Sequence, residues 1–180
     1  MKDNALLKLI ADTIDDGLLK MGYEGVFCVQ KNQPTQQGVP SKATVYFEKL
    51  FDQRFGWPVR SQVWNETLQR FDSANFQYYE TVIQLSALVV QDPEDLTLPT
   101  ASDLVNDVAM WLAIPEVIAG WKQYEVNVLR TTQVRNPYFT DDRDRREAAP
   151  SFDITLTHSR EVTIGVPPVK TYELKTYPIN

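Results

Sequence analysis

The stretch that most limits what this chain can become is residues 76–90, FQYYETVIQLSALVV, whose length, β-branched content and aromatic loading predict a long strand. Strand side chains alternate between faces. Its odd positions, Tyr79, Thr81, Ile83, Leu85, Ala87 and Val89, are nearly all apolar and belong in a core. Its even positions, Tyr78, Glu80, Val82, Gln84, Ser86 and Leu88, are too apolar for free solvent and too polar for an interior. That second face is expected to meet another protein surface, with Tyr78, Glu80, Val82, Gln84 and Leu88 as candidate contacts.

The remaining segments supply what such a strand needs to fold. Residues 4–21 carry Leu6, Leu7, Ile10, Ile14, Leu18 and Met21 at helical spacing, opposite Asp12, Asp15, Asp16 and Lys20, with Gly22 as the expected C-terminal cap. A short strand is predicted over 26–30, then a mobile loop over 31–42 whose prolines and glutamines build no packed element. Residues 43–51 and 57–65 read as two strands across a turn at 53–56, with Pro58 suiting an edge or a strand entry. Short connections into residues 76–90 then favour an antiparallel meander.

After the Asp92-Pro93 and Leu98-Pro99 breaks, Thr100 and Asp103 form a helix-start signature. Leu104, Val105, Val108, Trp111 and Leu112 follow as a second apolar stripe, which Pro115 ends. Residues 116–120 can add a helical turn, and 126–134 return to strand character. Residues 151–164 are the cleanest strand, with Phe152, Ile154, Leu156, Val162 and Ile164 on one face and Asp153, Thr155, Thr157 and Ser159 on the other. His158 and Arg160 interrupt the apolar face, so the middle of this strand is expected to leave the core or meet a partner. Residues 165–180 read as a turn and a C-terminal arm. The expectation is a single α+β domain over 1–180, a mostly antiparallel sheet with two main helices packed on one face.

Composition removes several function classes. The formal net charge of -6 argues against a main surface that grips nucleic acid, which needs clustered Lys and Arg. Cys28 is the single cysteine, which rules out an intramolecular disulfide and fits a reducing cytoplasm. No run approaches the ~18 apolar residues of a membrane span, so no membrane partner is expected. With His158 the only histidine, a histidine-rich metal site is excluded, and a Ser-His-Asp or Cys28–His158 arrangement has no supporting motif. Cys28 reads instead as a buried strand thiol.

Residues 136–150 interleave acids and arginines. Asp141, Asp142, Asp144 and Glu147 could hold Mg²⁺ for phosphodiester chemistry, but Arg143, Arg145 and Arg146 offer those carboxylates internal partners. No phosphate-cradling glycine motif is present, and the tryptophans read as core and interface residues rather than base-stacking platforms. No catalytic set, metal or cofactor is expected.

From Gly120 onward the chain resembles the C-terminal half of the neck or tail-terminator proteins of tailed bacteriophages. The resemblance rests on Val134-Arg135 ending a strand, the charged run 141–147, and the aromatic-led Ser151-Phe152-Asp153-Ile154. The order helix, strands, helix, strands also matches. The resemblance implies a protomer of a ring, commonly a hexamer, between head connector and tail tube, which caps the tube and passes DNA through its lumen as cargo. Its partners would be copies of itself and the adjacent tail-tube and connector proteins. Its location would be the virion, after synthesis in the host cytoplasm. On that reading Asp141, Arg143, Asp144, Arg145 and Arg146 are candidate polar contacts, joined by His158 and Arg160. A collar or other neck ring, a tail-assembly chaperone and a metal-dependent phosphodiesterase remain alternatives.

Overall fold

The computed structural model describes residues 1–31, 42–89, 97–140 and 146–169, with the side chains of 138–140 and 146–148 set aside. Helix α1 (Asp3–Lys20) buries Leu6, Ile10, Ile14, Gly17 and Leu18, the three-and-four spacing of a one-sided stripe. It ends as its sequence predicts. Gly22 takes φ +87, its N–H reaches the Leu19 carbonyl at 3.1 Å, and the Tyr23 N–H reaches that of Leu18 at 2.9 Å. These two bonds satisfy carbonyls that the helix end leaves free.

Strand β1 (Phe27–Gln30) pairs in parallel with β2 (Thr44–Asn65). The predicted loop between them falls largely on residues 32–41, outside the described residues. Strand β2 corrects an expectation: residues 43–51 and 57–65 are one continuous strand, and no turn occurs at 53–56. Gly56 takes φ +69, yet the pairing with β3 (Arg70–Leu88) only slips, once between Lys49 and Phe51 and again between Phe55 and Val59. Glycine and proline here make a bulge instead of a reversal. The Gln77 amide donates to the Phe55 carbonyl at 2.7 Å, satisfying a group that the bulge takes out of the ladder. The chain turns instead at residues 66–69, where Gln69 takes φ 48 and Asn65 Oδ1 accepts from the Leu68 N–H at 3.0 Å. Strand β3 therefore starts at Arg70, ahead of Phe76, and β2 and β3 form one long hairpin instead of part of a three-strand meander.

Helix α2 (Ala101–Leu112) opens on the expected capping box, with Thr100 Oγ1 accepting from the Asp103 N–H and Asp103 accepting from the Thr100 N–H. Pro115 ends it by starting α3 (Pro115–Lys122), where a missing N–H costs nothing. Strands β4 (Asn127–Thr131) and β7 (Ser151–Val166) complete the main sheet, and β5 (Tyr138–Thr140) and β6 (Arg146–Ala148) make a separate ribbon. Strand β7 runs through Gly165 and Val166, past the predicted turn; the proposed C-terminal segment from 170 lies outside the described residues.

The sheet order is β1-β2-β3-β7-β4, with only the β1–β2 pair parallel. This is the expected α+β architecture. Ile83, Leu85 and Ala87 on the odd face of β3 join Phe152, Ile154 and Leu156 of β7 beneath α1 and α2. The helices cover only half of the sheet. Beyond Asp52, Thr81 and His158 the three long strands run on without them, reaching Asn65, Arg70 and Val166 as a three-stranded arm of roughly 30 Å by strand rise.

Candidate functional site

Where the sheet leaves its helical cover, polar groups replace apolar ones. The bulge after Lys49 puts both Lys49 and Asp52 on the helix side, opposite Ile83 and Thr81. Lys49 bridges Asp52 and Asp3 at the start of α1, at 2.9 Å to the latter. Arg160 also contacts Asp3, and lies 3.6 Å from Asp52. Tyr79 stacks on His158, and the Arg160 guanidinium lies 5.0 Å from the Tyr79 ring centroid. The N-terminus of α1 is thereby tied to the root of the arm, with Lys49 and Arg160 facing the carboxylates of Asp3 and Asp52 and the Met1 ammonium donating to the Ser159 carbonyl.

His158 is 2% exposed at the centre of this junction. Thr81 Oγ1 has one proton, which it donates to Asp52 Oδ1 at 2.6 Å, so it accepts from His158 Nε2 at 2.9 Å. Nε2 therefore carries a proton. Its Nδ1 has no hydrogen-bond partner. Burial lowers the His158 pKa, aided by the Met1 ammonium and Arg160 against the Ser159 backbone and Asp52. Burial acts to raise the Asp52 pKa, but hydrogen bonds from Lys49 and Thr81 and the charges of Lys49 and Arg160 hold it below the usual carboxylate range.

A pH dependence follows. A histidine with a depressed folded pKa contributes stability that is complete above its unfolded value of ~6.5 and is lost as pH falls from there towards the folded value. Equilibrium unfolding between pH 7 and pH 5 should show this loss, and His158→Gln, which keeps a donor, should flatten it. An unchanged slope in that variant would assign the dependence elsewhere. Asp52 adds a second loss at lower pH, below the ordinary carboxylate pKa, which Asp52→Asn should remove.

Each face of the arm carries exposed apolar groups among polar ones. Phe55, Val59, Val63 and Tyr78 share the open face, with Phe55 and Tyr78 rings 5.6 Å apart. On the helix-side face Trp64 meets Phe71 edge-on at 5.0 Å, beside Val162 and Ile164. These groups are far from buried: Val63 is 65% exposed, Val162 62%, and Trp57 in the bulge 91%. Single exposed hydrophobes are ordinary, whereas exposed aromatic pairs on both faces of a projecting sheet point to an interaction surface.

The residues singled out from sequence fall in different places. Tyr78 is exposed on the arm's open face. Glu80 and Gln84 lie lower on the same face, where Gln84 donates to Asp153 at 3.0 Å and Arg135 bridges the other carboxylate oxygen at 2.9 Å. Val82 is 9% exposed and Leu88 half-buried. His158 and Arg160 sit at the junction, where the predicted departure of β7 from the core takes place. Asp141, Arg143, Asp144 and Arg145 lie outside the described residues, and Arg146 opens β6 with its side chain undescribed. Sequence reasoning passed over Phe55, Val59 and Val63. The available signal was the break at His158 and Arg160, beyond which Val162 and Ile164 kept an apolar face with no helix left to cover it.

Other sites offer little chemistry. Cys28 on β1 is separated from His158 on β7 by β2 and β3, so the two cannot form a pair, and burial pushes its thiol pKa well up. Among the described residues no group of three or more His, Cys, Asp or Glu side chains is placed to hold a metal ion. The proposed Mg²⁺ carboxylates Asp141, Asp142 and Asp144 lie outside those residues, and the side chain of Glu147 is undescribed. No single described helix is long and apolar enough to cross a membrane. An open groove of about 550 Å³ between α1 and α3 is floored by Trp111 and Trp121, both of which donate to Thr13.

Fold and surface together define an α+β protein with a three-stranded arm that exposes apolar groups on both faces. The E217 gateway protein gp29 family matches residues 5–168, and the chain belongs to that family. This bears out the resemblance to the neck and tail-terminator proteins of tailed phages. Among solved structures, the sheath/tube terminator of PVC, an extracellular contractile injection system, in its extended state, is 10% identical with a TM-score of 0.45. That alignment covers 96% of this chain, which spans 63% of the terminator's length. No curated protein matches.

Proposed function

We propose that the protein is a structural component of the virion that terminates the tail at the head–tail junction, working as a homo-oligomeric ring, hexameric in number. The uncovered arm, with exposed apolar groups on both faces, on a chain of the gateway family carries this reading, because exposed apolar groups on a projecting sheet suit contact with another protein surface. The ring joins the tail tube on one side to the connector on the other and serves no catalytic step. The open face of β3, with Tyr78, Glu80, Val82, Gln84 and Leu88, contributes subunit or ring contacts. Asp141, Arg143, Asp144, Arg145 and Arg146 contribute polar ones, and His158 with Arg160 sets the arm against the body. The net charge of -6 suits a lumen through which DNA passes without sticking. The protein is made in the host cytoplasm and retained in the particle.

Purified particles should contain the protein in several copies, and labelling should place it between head and tail. Cells that lack it should accumulate heads and unjoined or overlong tails. Its absence from purified particles, with assembly still dependent on it, would reassign it to a departing chaperone. A label on the outer collar would move it to a collar ring.

A further inference from the structure

We infer that the helix-side face of the arm docks a different protein of the particle through a carboxylate-bearing segment, with Arg60 as the central contact. The inference deepens the head–tail reading above and rests on it. Strand register gathers the donors: Arg60 lies directly opposite Asn75, and Gln62 opposite Ser73. With Ile164 these residues line an open concavity of about 530 Å³. A guanidinium offers donors alone, and the two carboxamides and the hydroxyl can each donate. Lys49 and Arg160, nearer the body, are already matched by Asp3 and Asp52. Arg60 and Arg54 have no ion-pair partner among the described residues, and Arg54 lies 6.0 Å from the Tyr79 ring centroid. Among the described residues, this face carries no Asp, Glu or Lys beyond Asp52.

The acids of the arm sit on the other side of the sheet, with Glu80 and Glu161 on the open face and Asp72 held by Arg70 at 3.0 Å. A chain of net charge -6 therefore presents free cations on one face of its arm. The neighbours of those cations select the partner. Val162 and Ile164 flank the concavity, 62% and 53% exposed, and the Trp64–Phe71 pair follows towards the tip. Arginine and aromatic side chains without Lys, Asp or Glu are the composition of a protein–protein interface core. DNA binding needs a run of basic groups to displace counterions, which two free arginines among apolar groups do not supply. A carboxylate that meets Arg60 gains a charge-assisted, bidentate pair, and the Gln62 and Asn75 amides can serve its remaining lone pairs. The open face is engaged in subunit or ring contacts on the reading above, which leaves this face for another chain.

The test supplies the full chain, with the photo-crosslinking residue p-benzoylphenylalanine in place of Gln62, to a phage that lacks its own copy of the gene. Irradiated particles should yield a crosslink to a peptide of another virion protein, with Asp or Glu beside the point of attachment. If the bulky ring at Gln62 blocks assembly, Val162 carries the probe instead. In parallel, Arg60→Glu should leave the circular dichroism spectrum unchanged and lower the yield of joined particles at least about tenfold, as placing like charges face to face does. A lysine in place of the partner's crosslinked acid should restore that yield. A crosslink to this chain itself, to DNA or to a peptide without carboxylates overturns the inference. So does incorporation without any crosslink, or a full yield from Arg60→Glu, and each of these leaves the head–tail function standing. Absence of the unmodified protein from particles defeats that function itself.

Discussion

Replacing Phe152 by alanine is expected to destabilise the protomer by ~3–5 kcal/mol, as the loss of a fully buried aromatic side chain does in a packed core. Phe152 is 0% exposed, opposite Leu85 in the β3–β7 ladder and within the cluster that α1 and α2 cover. Phe55→Ala removes the same chemical group from the arm, where its exposure leaves the isolated protomer little to lose. Urea unfolding should therefore show a large fall in midpoint for Phe152→Ala and a small one for Phe55→Ala. Assembly should respond in the opposite order. Equal stability losses would mean that the arm is buried within the protomer, and the division into a covered body and an uncovered arm would not stand.

Gly17→Ala is expected to destabilise by ~1–3 kcal/mol, the range for forcing atoms into a filled site. Helix propensity alone predicts the reverse, a gain of ~1 kcal/mol for alanine over glycine in a helix interior. Packing decides the sign. A Cβ at Gly17 would lie 2.4 Å from Trp111 Nε1 and 2.5 Å from its Cδ1. The indole cannot swing away without giving up its bond to the Thr13 carbonyl at 2.9 Å, so the cost includes a lost hydrogen bond of ~1 kcal/mol. Thermal unfolding measures the net effect, and a raised Tm would show that α1 and α2 are not in close contact at this point.

Much of the body was legible because its signals are local. Helix α1 was readable from the spacing of Leu6, Ile10, Ile14 and Leu18, its end from Gly22, and the start of α2 from Thr100 and Asp103. Alternation likewise assigned the two faces of β3 and of β7 correctly, down to the interruption at His158 and Arg160. The β2 strand was misread because Gly56 and Pro58 are turn residues in most contexts, and only pairing with a continuous β3 makes a bulge the better outcome. Gly17 carried no visible signal, since its reason is a tryptophan on another helix.

The sequence by itself determined which side chains share a face, where the helices begin and end, and that one strand would be amphipathic on its second side. These follow from periods of 3.6 and 2 and from the conformational limits of single residues. Only the tertiary structure decided which apolar faces are covered. Val162 and Ile164 continue the same alternation as Ile154 and Leu156, yet one pair is solvent-exposed and the other is core. The difference is the length of α1 and α2, which end their cover at the Thr81–His158 junction while the strands go on. Burial depends on what lies across the sheet, and a strand's own pattern records the face without recording its neighbour.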